Sequence, residues 1–326
     1  MRELTFAQAL GEALDEALTD DSRVFLMGED IGAYGGVFGV TRGLMERHGR
    51  DRVMDTPISE AGFVGAAVGA ALGGLRPVVE IMWVDFAMVA MDQIVNQLAK
   101  MSYMSGGTLK APVVIRTQQG AGRGNGAQHS QSLEAMFAQV PGLAVVAPSD
   151  PADAKGLLTS AIEAQRPVIF LEHKLLYPTR GDVPAGRHRV PLGKARIVRE
   201  GTDVTLVSLS RMVGYALEAA VQLEQQGVRA EVVDLRCVVP MDLETCARSL
   251  RKTGRVVIVH EAHRSFGWGA ELAARLMEDC FFDLAAPVVR VASLDVPFPY
   301  NRTLEAHVMP RVEEIVAAAA RLCTEY

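Results

Sequence analysis

This sequence has few cysteines, no excess of positive charge and no long uninterrupted apolar run, and each shortage argues against a class of protein. The four cysteines among 326 residues are scattered and form no Cys-x-x-Cys pair, so we expect reduced, buried thiols rather than a zinc site. The formal net charge is −6, and no cluster of lysine and arginine overrides it. That balance argues against a nucleic-acid-binding protein.

The apolar segments do not predict a membrane protein. The most apolar stretch, residues 61–79, is rich in glycine and is interrupted by Arg76 and Pro77, so it is a poor membrane span. The N-terminal residues lack the apolar core of a signal peptide and the arginine-rich, acid-poor character of a transit peptide. We therefore expect a cytoplasmic protein with no membrane partner.

Length and patterning predict two α/β domains. The chain is 49% hydrophobic and 22% charged, as in soluble globular proteins, and its length suits about two domains. Short apolar runs alternate with helical patterns in both halves, which predicts mostly parallel sheets flanked by helices. A proline- and arginine-containing stretch without helical periodicity separates the halves. The expected organisation is a domain at 1–178, a linker at 179–200 and a second domain at 201–326.

Apolar periodicity also predicts the individual elements. For the first domain it gives helices over 4–19, 61–75, 86–103, 133–139 and 151–163, and strands at 24–27, 77–81, 113–116, 144–146 and 168–171. For the second it gives strands at 204–209, 231–235, 256–260 and 288–292, and helices over 212–225, 242–250, 269–280 and 311–322.

A lone carboxylate, Glu60, stands at the start of a helix rich in glycine and alanine. A charged side chain among apolar residues must be neutralised, paired with an opposite charge or used to bind a ligand. An acid in the first turn of a helix can also simply offset the helix dipole. The same helix has glycine at 62, 65, 69 and 73, so one face lets another backbone approach closely. That approach is expected inside the domain or across a subunit interface, with a membrane helix dimer as a remote third option.

A loop with glycine at 120, 122, 124 and 126 follows a predicted strand, where a phosphate cradle would stand. GxxxxGK[ST] is absent, and GxGxxG would need glycine where Asn125 or Ala127 stands. We expect instead a mobile loop that presents residues 128–130 at the carboxyl edge of the sheet, where open α/β folds bind ligands. His129 is a candidate for either a structural or a catalytic role.

Residues 82–88 join a predicted strand to a predicted helix. Trp83 is expected in the core, whereas Phe86 opens the helix and is placed to stack on an aromatic ligand. Apart from His260 and His263, whose turn supplies no further ligand, the histidines lack metal-ligand spacing. No metal site is predicted.

Taken together, six segments resemble one family. They are residues 28–38, 55–60, 91–96, 128–132, 153–158 and 234–236. Segments similar to these occur in the same order in one family of proteins. It is the β subunit of the thiamine-diphosphate-dependent first component of 2-oxoacid (pyruvate or branched-chain) or acetoin dehydrogenase complexes. The match runs from residue 3 to about 320. It implies a transketolase-like pyrimidine-binding domain followed by a transketolase C-terminal-like domain.

The resemblance implies catalytic roles for Glu60 and His129. In the family, the carboxylate at the Glu60 position hydrogen-bonds a ring nitrogen of thiamine diphosphate and favours the tautomer that deprotonates the thiazolium carbon. His129 matches a histidine that acts in proton transfer during reductive acylation of a lipoyl group. The implied pyrimidine pocket comprises Glu29, Ile58, Ser59, Glu60, Met82, Phe86, Ala87, Met88, Val89 and Tyr103.

The residues that bind magnesium diphosphate in such enzymes are missing. They form a Gly-Asp-Gly segment followed by asparagine, but here the nearest trace is Gly181-Asp182-Val183, with no suitable asparagine before Asn301. The resemblance therefore implies that this chain holds the pyrimidine half of the cofactor. An α subunit would hold the magnesium and diphosphate half in an α2β2 heterotetramer, and a lipoyl-bearing dihydrolipoyl acyltransferase would be a further partner.

The sequence departs from the family at two places. Many relatives have glutamine at the Met82 position, and methionine cannot donate a hydrogen bond, so contacts there must differ. Some relatives bind potassium around Ala161 and Ile162, using an aspartate and an asparagine where Ala164 and Arg166 stand here. We expect a vestigial site in which the Arg166 guanidinium replaces the ion.

The implied function is that of an oxidoreductase subunit acting on an oxo group with a lipoyl disulfide as acceptor. It would decarboxylate pyruvate or a related 2-oxoacid, or cleave acetoin, and transfer the acyl unit to lipoamide. Residues 118–123 and 172–177 are closest to the acetoin branch, whereas 103–107 fits acetoin or pyruvate, so the substrate stays open. The alternative is a catalytically silent assembly or regulatory protein, against which the intact Glu60 and His129 argue.

Overall fold

A computed structural model describes residues 1–325, whose contacts divide into two units. The N-terminal unit comprises Met1–Gln119 and Met136–Leu192, and the C-terminal unit comprises Gly120–Ala135 and the residues from Gly193 onward. This division differs from the predicted boundaries because the glycine loop after residue 119 makes its hydrogen bonds within the C-terminal unit. Within the described chain, no helix is both long and apolar enough to cross a lipid bilayer.

The N-terminal unit is built on a parallel sheet with strand order β6-β7-β5-β4-β2-β3. Its strands are β1 (Arg2–Thr5), β2 (Val24–Gly28), β3 (Val53–Asp55), β4 (Arg76–Ile81), β5 (Val114–Gln119), β6 (Ala144–Val146), β7 (Val168–His173) and β8 (Arg180–Val183). The central strands β4, β5 and β7 are almost entirely buried, as expected for a sheet covered on both faces.

Helices flank this sheet, and local sequence explains where several of them begin. They are α1 (Phe6–Asp20), α2 (Leu44–His48), α3 (Glu60–Leu72), α4 (Met101–Met104), α5 (Glu134–Ala138) and α6 (Pro151–Glu163). Thr5 and Gln8 form a capping box at the start of α1, with reciprocal bonds of 2.9 and 3.1 Å. Asp150 accepts from the Asp153 amide at 2.8 Å, and Pro151 opens α6.

The predicted helix over 86–103 is wrong in type. The structure has a 3₁₀ helix over Val84–Ala90 and a π-helix over Asp92–Leu98, followed by the short α4. The Phe86 amide donates to the Trp83 carbonyl three residues back, whereas the Ala99 amide donates to the Ile94 carbonyl five residues back. Apolar spacing identified a helical segment, but it cannot separate these hydrogen-bond patterns; π-helical turns are frequent at functional sites.

The predicted linker at 179–200 contains two edge strands. β8 pairs antiparallel with β1, and β9 (Arg196–Arg199) pairs antiparallel with a strand of the C-terminal unit, Ala230–Asp234. Both strands are short and begin at an arginine. Charged residues protect an exposed sheet edge, but they also hide the alternating apolar pattern of a strand.

The C-terminal unit has a sheet with order β14-β13-β10-β11-β9, parallel except at β9. Its further elements are β10 (Val204–Ser208), α7 (Met212–Gln225), β11 (Ala230–Asp234), β12 (Cys237–Val239), α8 (Leu243–Thr253), β13 (Val256–His263), α9 (Trp268–Cys280), β14 (Val289–Ser293), α10 (Arg302–Val308) and α11 (Val312–Glu325). Helices α7 and α11 pack their apolar faces on the sheet, with Leu223 and Ile315 fully buried against Leu206 and Val257. The prediction of two α/β folds is confirmed.

A buried ion network crosses the centre of the N-terminal sheet. Arg116 of β5 donates to Glu80 of β4 at 2.7 Å and makes a two-pronged contact with Glu172 of β7 at 2.7 and 2.9 Å. The Tyr177 hydroxyl donates to Glu172 at 2.6 Å. Although burial opposes its charge, the two carboxylates raise the pKa of Arg116, and burial raises the pKa of Glu172 despite the arginine.

Replacing Arg116 by methionine removes the only cation in these contacts and leaves two carboxylates buried without their partner. We expect the free energy of unfolding, measured by urea denaturation, to fall by roughly 3–5 kcal/mol. The matched control is Arg50→Met, because Arg50 is exposed and a surface change costs about 0.5 kcal/mol or less. Equal losses in the two variants would contradict a structural role for the network.

Candidate functional site

Two buried carboxylates lie at the carboxyl edge of the N-terminal sheet. Glu29 directly follows β2, and Glu60 begins α3 shortly after β3, the strand beside β2. Only 9% of Glu29 and 6% of Glu60 is exposed to solvent. Ligands of open α/β sheets bind at this edge.

The electrostatics of the pair disfavour two negative charges. Burial, together with the nearby carboxylates of Glu60 and Asp30, raises the pKa of Glu29 above its ordinary value of 4.5. The Oε1 atom of Glu29 is buried and has no hydrogen-bond partner among the described residues. A buried acceptor without a donor is costly, so this edge is suited to a ligand that brings N–H groups.

The turn that carries Glu29 is fixed from both sides. The Asp55 carboxylate accepts from the Gly32 amide at 2.6 Å and from the Ala33 amide at 3.2 Å. The Thr41 hydroxyl donates to the Ile31 carbonyl at 2.6 Å. A Cβ atom at Gly32 would lie 2.6 Å from Asp55 Oδ2, so only glycine fits there.

The other predicted pocket residues differ in exposure. Ala87 is buried, Met82 and Phe86 are half-buried, and Met88 and Val89 are exposed on the 3₁₀ helix. Ser59, Ile58 and Tyr103 are also exposed, the last two at 84% and 88%. The contacts of these residues with a cofactor stay predictions.

The glycine stripe of α3, formed by Gly62, Gly65, Gly69 and Gly73, packs against another helix of the same unit over only part of its length. A Cβ at Gly65 would lie 3.4 Å from Gln93 of the π-helix, so the helices approach closely there. A Cβ at Gly69 would meet no atom of the described part of the chain within 4 Å. The stripe therefore provides close packing inside the unit at Gly65 and an open surface at Gly69.

His129 lies in the glycine loop and belongs to the C-terminal unit. It is half-buried, and its amide donates to the Gly126 carbonyl at 3.3 Å. The neighbouring Gln128 and Gln131 line a cleft of about 560 Å³ together with Ala127, His263, Ser265, Asp295, Val296, Pro297 and Phe298. His129 and the carboxylate pair are thus carried by different units.

At the position predicted for a vestigial potassium site, the backbone carbonyls bind an arginine other than the expected one. Arg76 donates to the Ile162 carbonyl at 2.8 Å and to the Ala164 carbonyl at 3.2 Å. Arg166 instead donates to the Leu143 carbonyl at 2.9 Å. Arg76 could not be identified from the sequence beyond its interruption of an apolar run, because its partners lie 86 and 88 positions away.

Among the described residues, no group of three or more histidine, cysteine, aspartate or glutamate side chains is arranged to hold a metal ion. Sequence reasoning also assigned no role to Asp55 and Thr41, which fix the Glu29 turn. For Asp55 a signal existed, since it ends a strand beside the one that leads to Glu29.

Replacing Glu29 by glutamine should change stability in a pH-dependent way. Because the folded-state pKa of Glu29 is raised, its contribution to stability is present below the ordinary value and is lost as pH rises through the folded-state pKa. Near neutral pH we expect Glu29→Gln to raise the Tm of the cofactor-free chain, and in acid the two proteins should converge. Glu46→Gln, at an exposed position, is the control; a lower Tm for Glu29→Gln at neutral pH would refute the raised pKa.

The Arg76 contacts predict that potassium does not stabilise this chain specifically. Because a guanidinium occupies the carbonyls, Tm should be the same in potassium chloride and sodium chloride of equal concentration. Arg76→Ala should lower the free energy of unfolding by about 2 kcal/mol, as expected for hydrogen bonds from a charged donor. A potassium-specific rise in the Tm of the unaltered chain would contradict this assignment.

Comparisons with known proteins agree with the two folds. Residues 2–180 match the family described as transketolase, pyrimidine binding domain, and residues 193–315 match transketolase, C-terminal domain. A solved structure entitled split gene transketolase, inactive beta4 tetramer, superposes with a TM-score of 0.82 at 26% identity, covering 98% of each chain.

Curated relatives match almost the whole chain. Pyruvate dehydrogenase E1 component subunit beta-1, mitochondrial, of Oryza sativa subsp. japonica is 49% identical, covering 99% of this chain and 87% of the relative. Pyruvate dehydrogenase E1 component subunit beta of Rhizobium meliloti (strain 1021) is 47% identical, covering 99% and 70%. With two transketolase-type domains and this level of identity, the chain belongs to the family of β subunits of the first component, E1, of 2-oxoacid dehydrogenase complexes.

Proposed function

We propose that this chain is the β subunit of a thiamine-diphosphate-dependent dehydrogenase that decarboxylates pyruvate or a related 2-oxoacid. In this proposal an α subunit completes the cofactor site in an α2β2 heterotetramer. The acyl unit then passes to the lipoyl group of a dihydrolipoyl acyltransferase. Membership of the E1 β family supports the reaction class, and the names of the relatives favour pyruvate.

The observation that carries the proposal is the buried carboxylate pair. Among the described residues, Glu29 Oε1 has no donor. Glu60 is only 6% exposed, and its charge contributes to the raised pKa of Glu29. The aminopyrimidine ring of thiamine diphosphate carries an amino group, which donates, and a ring nitrogen, which donates when it is protonated, so the ring can supply the missing donors. The residues present therefore fit this half of the cofactor.

Glu60 would bind and orient the ring through one ring nitrogen. A carboxylate in a water-poor pocket interacts with its partner much more strongly than it would in water. Glu29 would accept from the ring's polar edge, while the half-buried Met82 and Phe86 would exclude water and contact the flat face. Thiamine diphosphate, when bound, supplies the nucleophilic carbon and the electron sink that decarboxylation of a 2-oxoacid requires.

The structure of the Gly181-Asp182 segment supports a cofactor site that is shared with an α subunit. Gly181 and Asp182 lie in β8, where they pair with Leu4 and Glu3 of β1. An edge strand paired in this register is not a loop that wraps a diphosphate. The magnesium and diphosphate half is accordingly assigned to the α subunit in this proposal, and His129 is assigned proton transfer to the lipoyl group.

Glu60→Gln in the heterotetramer co-expressed with the natural α subunit tests this function. Because glutamine keeps the shape but loses the charge, turnover of pyruvate with an artificial electron acceptor should fall by about 100-fold or more. Branched-chain 2-oxoacids and acetoin, assayed in parallel, identify the substrate.

Glu46→Gln is the matched control, because Glu46 is an exposed glutamate of the same unit. Unchanged turnover in Glu60→Gln would contradict the assigned role of the pair. An unaltered assembly without turnover on any of these substrates would instead support the silent assembly or regulatory protein.

A further inference from the structure

The glycine loop at 120–126 is bound by two buried carboxylates of its own unit. Glu305 of α10 accepts from the Gly122 amide at 2.9 Å and from the Gly124 amide at 2.7 Å, one on each carboxylate oxygen. Glu261 of β13 accepts from the Ala121 amide at 2.6 Å. Three amides of four successive residues are therefore held by two acidic side chains.

The backbone of this loop has the character of an anion-binding nest. Gly120, Gly122, Gly124 and Gly126 all have positive φ, between 69° and 99°. Alternating left-handed residues turn neighbouring amides toward one side, where phosphate-binding loops hold an anion. Here the anion is supplied by the protein itself, which explains why the segment has loop glycines but matches no phosphate motif.

Both carboxylates are fixed in place. Glu305 is 1% exposed, and its helix is capped by Asn301, whose side chain accepts from the Thr303 and Leu304 amides at 2.9 and 3.2 Å. Glu261 is 5% exposed, and its Oε2 lies 3.7 Å from Nη1 of Arg211. Rigid acceptors of this kind hold a loop with little loss of conformational freedom.

Packing under the loop reinforces these hydrogen bonds. Ala121 lies in a small apolar cluster with Phe298, Val308 and Met309. A Cβ at Gly126 would lie 2.3 Å from the ring of Tyr300. The loop therefore runs directly over Tyr300, and its path is set by close contact as well as by charge.

We propose that Glu305 and Glu261 are positioning residues. They hold His129 in the place from which it transfers a proton to the lipoyl group. The inference rests on the proposed role of His129 and adds the groups that set its position. His129 follows Gly124, the last residue whose amide is bound by these glutamates, by five positions. The loop is closed at its base by the Gly120 amide, which donates to the Gln131 carbonyl at 2.9 Å. The clamped amides thus lie inside the same closed loop as His129, and a displacement of about 1 Å in such a group costs roughly 100-fold in rate.

Glu305→Gln in the assembled heterotetramer tests the inference with two readouts. Glutamine keeps one acceptor oxygen but turns an NH₂ group toward one loop amide, so one hydrogen bond and the charge are lost. Hydrogen exchange of the peptide covering 120–130 should become faster. The ratio of lipoyl-domain acylation to artificial-acceptor turnover should fall by about tenfold or more, the effect expected when a charge-assisted bond is lost.

Two further variants keep the outcomes distinct. Glu271→Gln, an exposed glutamate of α9, should change neither readout. His129→Asn should lower the acylation ratio without accelerating exchange. Unchanged exchange in Glu305→Gln overturns the clamp, and faster exchange with an unchanged ratio overturns positioning. An unchanged ratio in His129→Asn refutes the proposed role of His129 itself, and the positioning inference with it.

Discussion

The buried carboxylate pair, Glu29 and Glu60, is the constraint on which the function of this chain depends. Burial and the charge of the nearby Glu60 raise the pKa of Glu29, so ionisation of Glu29 is disfavoured. Such an arrangement is unfavourable in the isolated unit unless a ligand supplies donors. The surrounding structure maintains it nonetheless, because Asp55 and Thr41 bind the backbone of the Glu29 turn.

The two units use glutamate in opposite ways. At the sheet edge of the N-terminal unit, Glu29 has one oxygen that receives no hydrogen bond from residues 1–325, which suits a binding site. In the C-terminal unit, Glu305 has both oxygens occupied by backbone amides, which suits a structural clamp. Both glutamates are buried. Whether such a residue binds a ligand or holds a loop therefore depends on whether the protein itself supplies the hydrogen-bond donors.

The predicted and observed bounds coincide for α6, where apolar periodicity and a capping residue agree, and for α7, where apolar periodicity alone was sufficient. Sequence reasoning failed for residues 84–98, because 3₁₀, α and π turns share similar apolar spacing. It also missed Arg76 and Glu305, whose partners are distant in sequence; Gly122 and Glu305 are 183 positions apart. The residues of the candidate site were recognised by motif, whereas the groups that hold them in place depend on tertiary contacts.

A structure of the assembled heterotetramer with thiamine diphosphate bound tests the central claim most directly. The account predicts that a carboxylate oxygen of Glu60 lies within about 2.6–3.2 Å of a pyrimidine ring nitrogen. It also predicts that Glu29 Oε1 gains a donor from the same ring or its bound water. A pyrimidine ring bound elsewhere, with both carboxylates left without contact to it, would contradict the account.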